Sequence, residues 1–75
     1  MMESIKYDYS TLKGGIKRVF GTQAAFAKAL GMAEATLSLK LNNNAEWTQD
    51  EMELTLTLLR EGPEMIVPYF FARSV

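Results

Sequence analysis

Residues 22–43 read TQAAFAKALGMAEATLSLKLNN, two short helices joined by a three-residue bend. The first, over about Gln23–Leu30, carries Phe26, Ala27 and Leu30 on one side. Gly31 ends it, because glycine takes the left-handed backbone that closes a helix without steric cost. The second runs over about 34–42, with Leu37 and Leu41 one turn apart on its buried side. Ala27 is small where two helices must cross closely. Helix, glycine-containing turn, helix is the arrangement that sets a reading helix into the major groove of DNA. The spacing alone also fits a plain helical hairpin, and the rest of the chain reads as support for this unit.

At 100° per residue the outward side of the second helix carries Ala35, Ser38, Leu39 and Asn42. Lys40 falls at the margin, with its stem covered and its amine reaching out. Leu39 has no reason to face water. A thymine methyl group in the major groove is one apolar partner for it, and a protein contact is another. Glu34 suits the positive end of the helix dipole and is also able to accept from cytosine N4. The start of the first helix, capped by Thr22 and followed by Gln23, offers free backbone N–H groups to an anion. Asn42, Asn43 and Asn44 form a polar turn within reach of a phosphate.

Working outward, Leu12, Ile16, Val19 and Phe20 form one stripe of a helix over about Ser10–Phe20, with Ser10 as its N-cap. Gly14 and Gly15 lie inside it, and close packing against another helix would explain them. Lys13, Lys17 and Arg18 lie off the stripe. A further helix starts at Thr48, where Thr48 and Glu51 make a T-x-x-E capping box and Trp47 and Met52 hold the staple positions. It is expected to run to about Arg60 and to stop at Gly62 and Pro63. In the tail, residues 63–75, a short helix or turn follows Pro63 and Pro68 breaks it. Tyr69, Phe70 and Phe71 are too apolar for a solvated end, so they either seal the core or make a dimer contact. Residues 1–8 read as an extended arm with Tyr7 and Tyr9 packed back on the domain.

The 75 residues, 48% of them hydrophobic, suit a single folded domain over 1–75. Net charge is −1, but it is polarised. Through Asn43 six bases (Lys6, Lys13, Lys17, Arg18, Lys28, Lys40) face three acids (Glu3, Asp8, Glu34). From Asn44 on, Arg60 and Arg73 face Glu46, Asp50, Glu51, Glu53, Glu61 and Glu64. One half therefore suits phosphates, and the other suits water or a partner. Histidine and cysteine are absent, which removes the commonest acid–base group, metal ligand and thiol nucleophile. The expectation is a non-enzyme with no cofactor and no metal, cytoplasmic, with neither a signal peptide nor a membrane span.

Thr22–Gly31 with Thr36-Leu37-Ser38-Leu39-Lys40-Leu41-Asn42 resembles the Cro/repressor-type helix-turn-helix family of phages and bacterial regulators. The segments YDYSTLKG, TLSLKLNN, TQDE and YFF look like a group of small phage-associated proteins in that superfamily. The family's small alanine falls on Ala27 and its turn glycine on Gly31. The resemblance implies a bundle of about five helices, a lambda-repressor-like fold, usually binding palindromic operators on double-stranded DNA as a dimer. It places phosphate contacts on Thr22 and Gln23 and base-reading positions on Glu34, Ala35, Ser38 and Leu39. Thr36, Lys40, Asn42 and Asn43 complete the candidate DNA-binding set. Three residues depart from the pattern: Lys40 replaces an apolar residue, Leu39 a polar or basic reader, and Glu34 a frequent glutamine. Without a second domain, a homodimer would form through Leu54 and Leu58 of the fourth helix and Tyr69, Phe70 and Phe71 of the tail.

The expectation is therefore a sequence-specific DNA-binding transcriptional regulator of phage Cro/repressor type, with the sign of control set by operator position. The alternative is a protein-interaction module that keeps the helix-turn-helix but binds another regulator, anti-repressor-like or antitoxin-like, through the acidic half or the aromatic tail.

Overall fold

Four α-helices and a helical tail enclose one apolar centre in the computed structural model, which describes residues 5–74. They are α1 (Ser10–Phe20), α2 (Gln23–Leu30), α3 (Glu34–Leu41) and α4 (Gln49–Leu58). A 3-10 turn at Pro63–Met65 leads into a wide π-type helical turn at Val67–Phe71, the tail helix. The architecture is all-helical, as the spacing of apolar residues predicts, with no regular strand among the described residues.

Each helix starts and stops for a local reason. Thr22 accepts the Ala25 N–H through its hydroxyl and opens α2. Thr48 accepts the Glu51 N–H while Glu51 accepts the Thr48 N–H, the complete capping box that opens α4. The cap expected at Ser10 is displaced by two residues: Ser10 is already helical, and the Asp8 carboxylate accepts its N–H at 2.9 Å. Hydrogen bonding from Ser10 holds the Asp8 carboxyl below its usual range.

Three helices close in the same way. Gly31, Asn43 and Arg60 take positive φ (73°, 64° and 58°), and the next N–H reaches back to a carbonyl five residues earlier. Met32 donates to Ala27, Asn44 to Leu39 and Glu61 to Leu56. The end of α4 therefore precedes the Gly62-Pro63 stop expected for it. The closing left-handed residue is Arg60, a position where a side chain costs more than glycine does. Pro68 does not break the tail. It sits in the first turn of the tail helix, where a missing N–H costs no helical bond.

The core comprises Leu12 and Ile16 of α1, Phe26 and Ala27 of α2, Leu37 and Leu41 of α3, Leu56 and Leu59 at α4, and Tyr9, Trp47, Tyr69 and Phe70. Tyr69 and Phe70 are almost fully buried. Of the two roles expected for the aromatic tail, these residues take the core one and are unavailable as dimer contacts. Gly15 is the place on α1 that admits them: a Cβ there would stand 3.0 Å from the Tyr69 hydroxyl and 3.3 Å from a Leu59 methyl. The expectation of close packing holds for Gly15 and not for Gly14, which faces open space.

The arm is strapped down from both sides. Asp8 N–H donates to Ala72 and Ser74 N–H to Lys6, around a bridge between Tyr7 and Arg73. On the other edge the Asn43 amide bonds both backbone groups of Tyr7, accepting its N–H at 2.8 Å and donating to its carbonyl at 2.9 Å. Residues 1–4 of the arm expected over 1–8, and Val75 of the tail, lie outside the described residues.

Candidate functional site

The α2–turn–α3 unit presents the outward surface that the amphipathic pattern predicts. Phe26, Ala27, Leu37 and Leu41 turn inward. Glu34, Ala35, Thr36, Leu39 and Asn42 are exposed, and Ser38 is half-buried. Leu39 keeps 48% of its surface in contact with solvent. Two turns of helix thus offer an outer strip of small and apolar side chains with one carboxylate at its start.

Lys40 corrects the charge expected of this surface. Its amine does not reach out. The residue is 7% exposed, its ammonium donates to the Glu46 carbonyl at 2.6 Å, and it pairs with a Glu51 carboxylate oxygen at 3.0 Å. It also lies 5.9 Å from the Trp47 ring centre, within cation–π range. The physical reason is α4: its capping carboxylate, Glu51, and the carbonyl of Glu46 form the nearest cage for a cation, so the lysine folds back across the α3–α4 connection. Burial pushes the Glu51 carboxyl up, but the Thr48 backbone N–H and the Lys40 ammonium outweigh it and leave the group below its usual range. No other cation belongs to α3.

Two further candidates are occupied within the chain. Asn43 is spent on the arm, as described above. Asn42 donates its side-chain amide to the Ser38 carbonyl at 2.9 Å and satisfies the end of α3. Thr22 is exposed and Gln23 half-buried at the opening of α2. Beside them a shallow depression of about 190 Å3 is bordered by Lys13, Lys17 and Gly21. Here candidate residues and exposed lysines come together. From the sequence, Lys13 and Lys17 belonged to the basic half suited to phosphates, with an ordinary helix-surface role equally open.

On another side of the molecule a wide open groove of about 1220 Å3 runs between the arm, the α3–α4 connection and the tail helix. Its aromatic wall is continuous: Tyr7 meets Phe71 edge-on at 5.8 Å, and Trp47 meets Phe70 edge-on at 5.0 Å. The Trp47 indole N–H is buried without a hydrogen bond, and the Tyr9 hydroxyl beside it does not reach bonding geometry. Burial pushes the Tyr9 phenol above its usual value. None of the candidate residues on the α3 outer strip lines this groove. Sequence reasoning missed it because its walls come from three segments far apart in the chain.

No group of acidic residues able to hold a metal ion occurs among the described residues, and no described helix is long and apolar enough to cross a membrane.

Residues 5–73 match the family described as "Protein of unknown function (DUF739)", and the chain belongs to that family. Among solved structures it is similar to the solution structure of the modulator of repression (MOR) of the temperate bacteriophage TP901-1 from Lactococcus lactis. The two are 45% identical, the match covers 92% of this chain and 93% of the other, and the TM-score is 0.78. No curated protein matches the chain.

Proposed function

We propose that this chain is a phage-type regulator that modulates repression through protein contact, with the outer strip of α3 as the contact surface. The observation that carries this reading is the position of Lys40. A helix that reads DNA lies among phosphates and gains from free cations. Here the lone lysine of α3 is buried and neutralised, and the strip left outside consists of Ala35, Thr36, Ser38 and a half-exposed Leu39 behind Glu34. An exposed leucine on a helix face rimmed by small side chains is suited to a desolvated protein contact. The similar phage protein is named for modulating repression, which agrees with action on another regulator. This is the alternative weighed from the sequence, moved from the acidic half and tail to the α2–α3 unit.

A second reading, direct DNA binding, is favoured by one observation. Lys13, Lys17, Thr22 and Gln23 gather at the start of α2, where free N–H groups point outward. Through Lys13 and Lys17 that face would neutralise about two phosphates, giving a modest affinity with a shallow salt slope of about −2.

The discriminating experiment adds the chain to the repressor of the phage or prophage that carries it, with a labelled operator duplex, and reads mobility shift. The protein-contact reading expects no shift by the chain alone and a changed operator affinity of the repressor in its presence. Leu39→Asp should abolish that change while leaving the melting temperature intact. A chain that shifts random duplexes by itself, and loses that shift with Lys13→Ala/Lys17→Ala, would overturn it in favour of DNA.

A further inference from the structure

We infer that the aromatic groove between the arm and the start of α4 is a second docking site, and that its occupant is a basic amphipathic segment of a partner protein. Three observations lead there. First, the charged side chains lining the groove, Glu46, Asp50 and Glu53, are all carboxylates, and no lysine or arginine lines it. None of the three forms an ion pair among the described residues, whereas Glu51 and Glu61 are paired. Second, the wall beneath them is apolar and in part bare: Phe71 is 43% and Ile5 50% exposed, although the neighbouring Phe70 and Trp47 are buried. Third, Trp47, which the groove shares with the α3–α4 connection, already takes a cation in the same manner, although Lys40 itself does not line the groove. The Lys40 ammonium lies over the Trp47 ring against a carboxylate and a carbonyl.

Three unpaired carboxylates over an aromatic floor select for one chemistry. Arginine or lysine heads meet the carboxylates, and their stems or a neighbouring leucine lie on Tyr7 and Phe71. Nucleic acid is repelled by the same carboxylates, and a neutral apolar segment leaves them to be desolvated without a partner. A helix or extended segment laid in a groove is one of the common modes of peptide recognition. It lies apart from Ala35, Ser38 and Leu39, so the inference stands whether α3 takes protein or DNA.

Trp47 is the lone tryptophan of the chain and lies in the groove wall, so its emission reports occupancy directly. The probe is a synthetic amphipathic peptide alternating arginine and leucine, with a control in which glutamate replaces every arginine. Titration into the full chain should shift the Trp47 emission and saturate with the basic peptide, and leave it unmoved with the acidic one. Glu46→Lys/Glu53→Lys should weaken binding at least tenfold. Phe71→Ala, a change at a half-exposed side chain, should weaken it severalfold at high salt, where purely ionic adsorption has disappeared. Equal binding to wild type and to both variants would overturn the inference, as adsorption elsewhere on an acidic protein. A second copy of the chain in the groove would overturn it too, and sedimentation would reveal that as a dimer that Phe71→Ala dissociates and the basic peptide does not.

Discussion

Replacing Glu51 by glutamine removes one charge and almost nothing else. The amide oxygen of glutamine still accepts the Thr48 N–H, so the capping box survives. What is lost is the counter-charge of Lys40, whose side chain is 9% exposed and which keeps only neutral acceptors, the new amide oxygen and the Glu46 carbonyl. Breaking a buried ion pair from one side costs about 3–5 kcal/mol. The Glu51 side chain is 25% exposed, so solvent screens part of that and about 2 kcal/mol is expected. For a domain of this size each kcal/mol moves the melting temperature by about 4–8 °C, so Glu51→Gln should melt about 8–16 °C below wild type. Lys40→Met fills the same space without a charge and leaves behind the more solvent-accessible partner, Glu51, still bonded to the Thr48 N–H, so it should cost less than Glu51→Gln. Combined, Lys40→Met/Glu51→Gln should recover most of the loss, because no buried charge is left alone. Thermal unfolding followed by far-ultraviolet circular dichroism reads all three. A Glu51→Gln protein that melts with wild type, or a double variant no better than it, would refute the reasoning. Because Lys40 is unavailable at the surface, Lys40→Met should also leave every binding activity unchanged.

Acid should weaken the fold through the same contact. The folded-state value of Glu51 lies below its unfolded value, so its stabilisation is complete above the ordinary carboxylate range and disappears as pH falls through the depressed one. Asp8 shifts in the same direction, and a urea series from neutral pH downward should show the midpoint falling there, less steeply in Glu51→Gln. Gly14→Ala should raise stability by about 0.5–1 kcal/mol, since the new methyl meets open space and helix propensity improves. Gly15→Ala, one residue on, should lower it by about 1–2 kcal/mol, because the methyl presses on the buried Tyr69 hydroxyl and a Leu59 methyl. Calorimetry on the pair checks both signs. Asn43→Ala removes two hydrogen bonds to Tyr7 and a residue that tolerates positive φ, and should cost about 2 kcal/mol and speed amide exchange in the arm.

Signals that act over three or four residues were readable in the sequence. The bounds of α2, its Thr22 cap, the Gly31 close and the Thr48/Glu51 box all depend on groups within one turn, and each stands where the sequence put it. The inward stripe of Phe26, Leu37 and Leu41 was equally plain, because a period of 3.6 shows in the letters. What the letters hid was competition between segments. Lys40 looked like a marginal surface lysine until α4 brought Glu51 beside it. Ser10 looked like the cap because Asp8 reaches past it, and Arg60 takes a conformation that glycine would have announced. The groove depends on residues 5–9, 43–53 and 66–71 meeting, a distance no local pattern encodes.

The central claim is that the outer strip of α3 meets protein and not DNA. Amide shift mapping on isotope-labelled chain tests it most directly, with the repressor proposed as its partner added in one titration and a random duplex pool in another. The amides of Ala35, Ser38 and Leu39 should move with the repressor and stay still with DNA. Movement of those amides with the duplex pool, or their silence when the repressor binds, would contradict it.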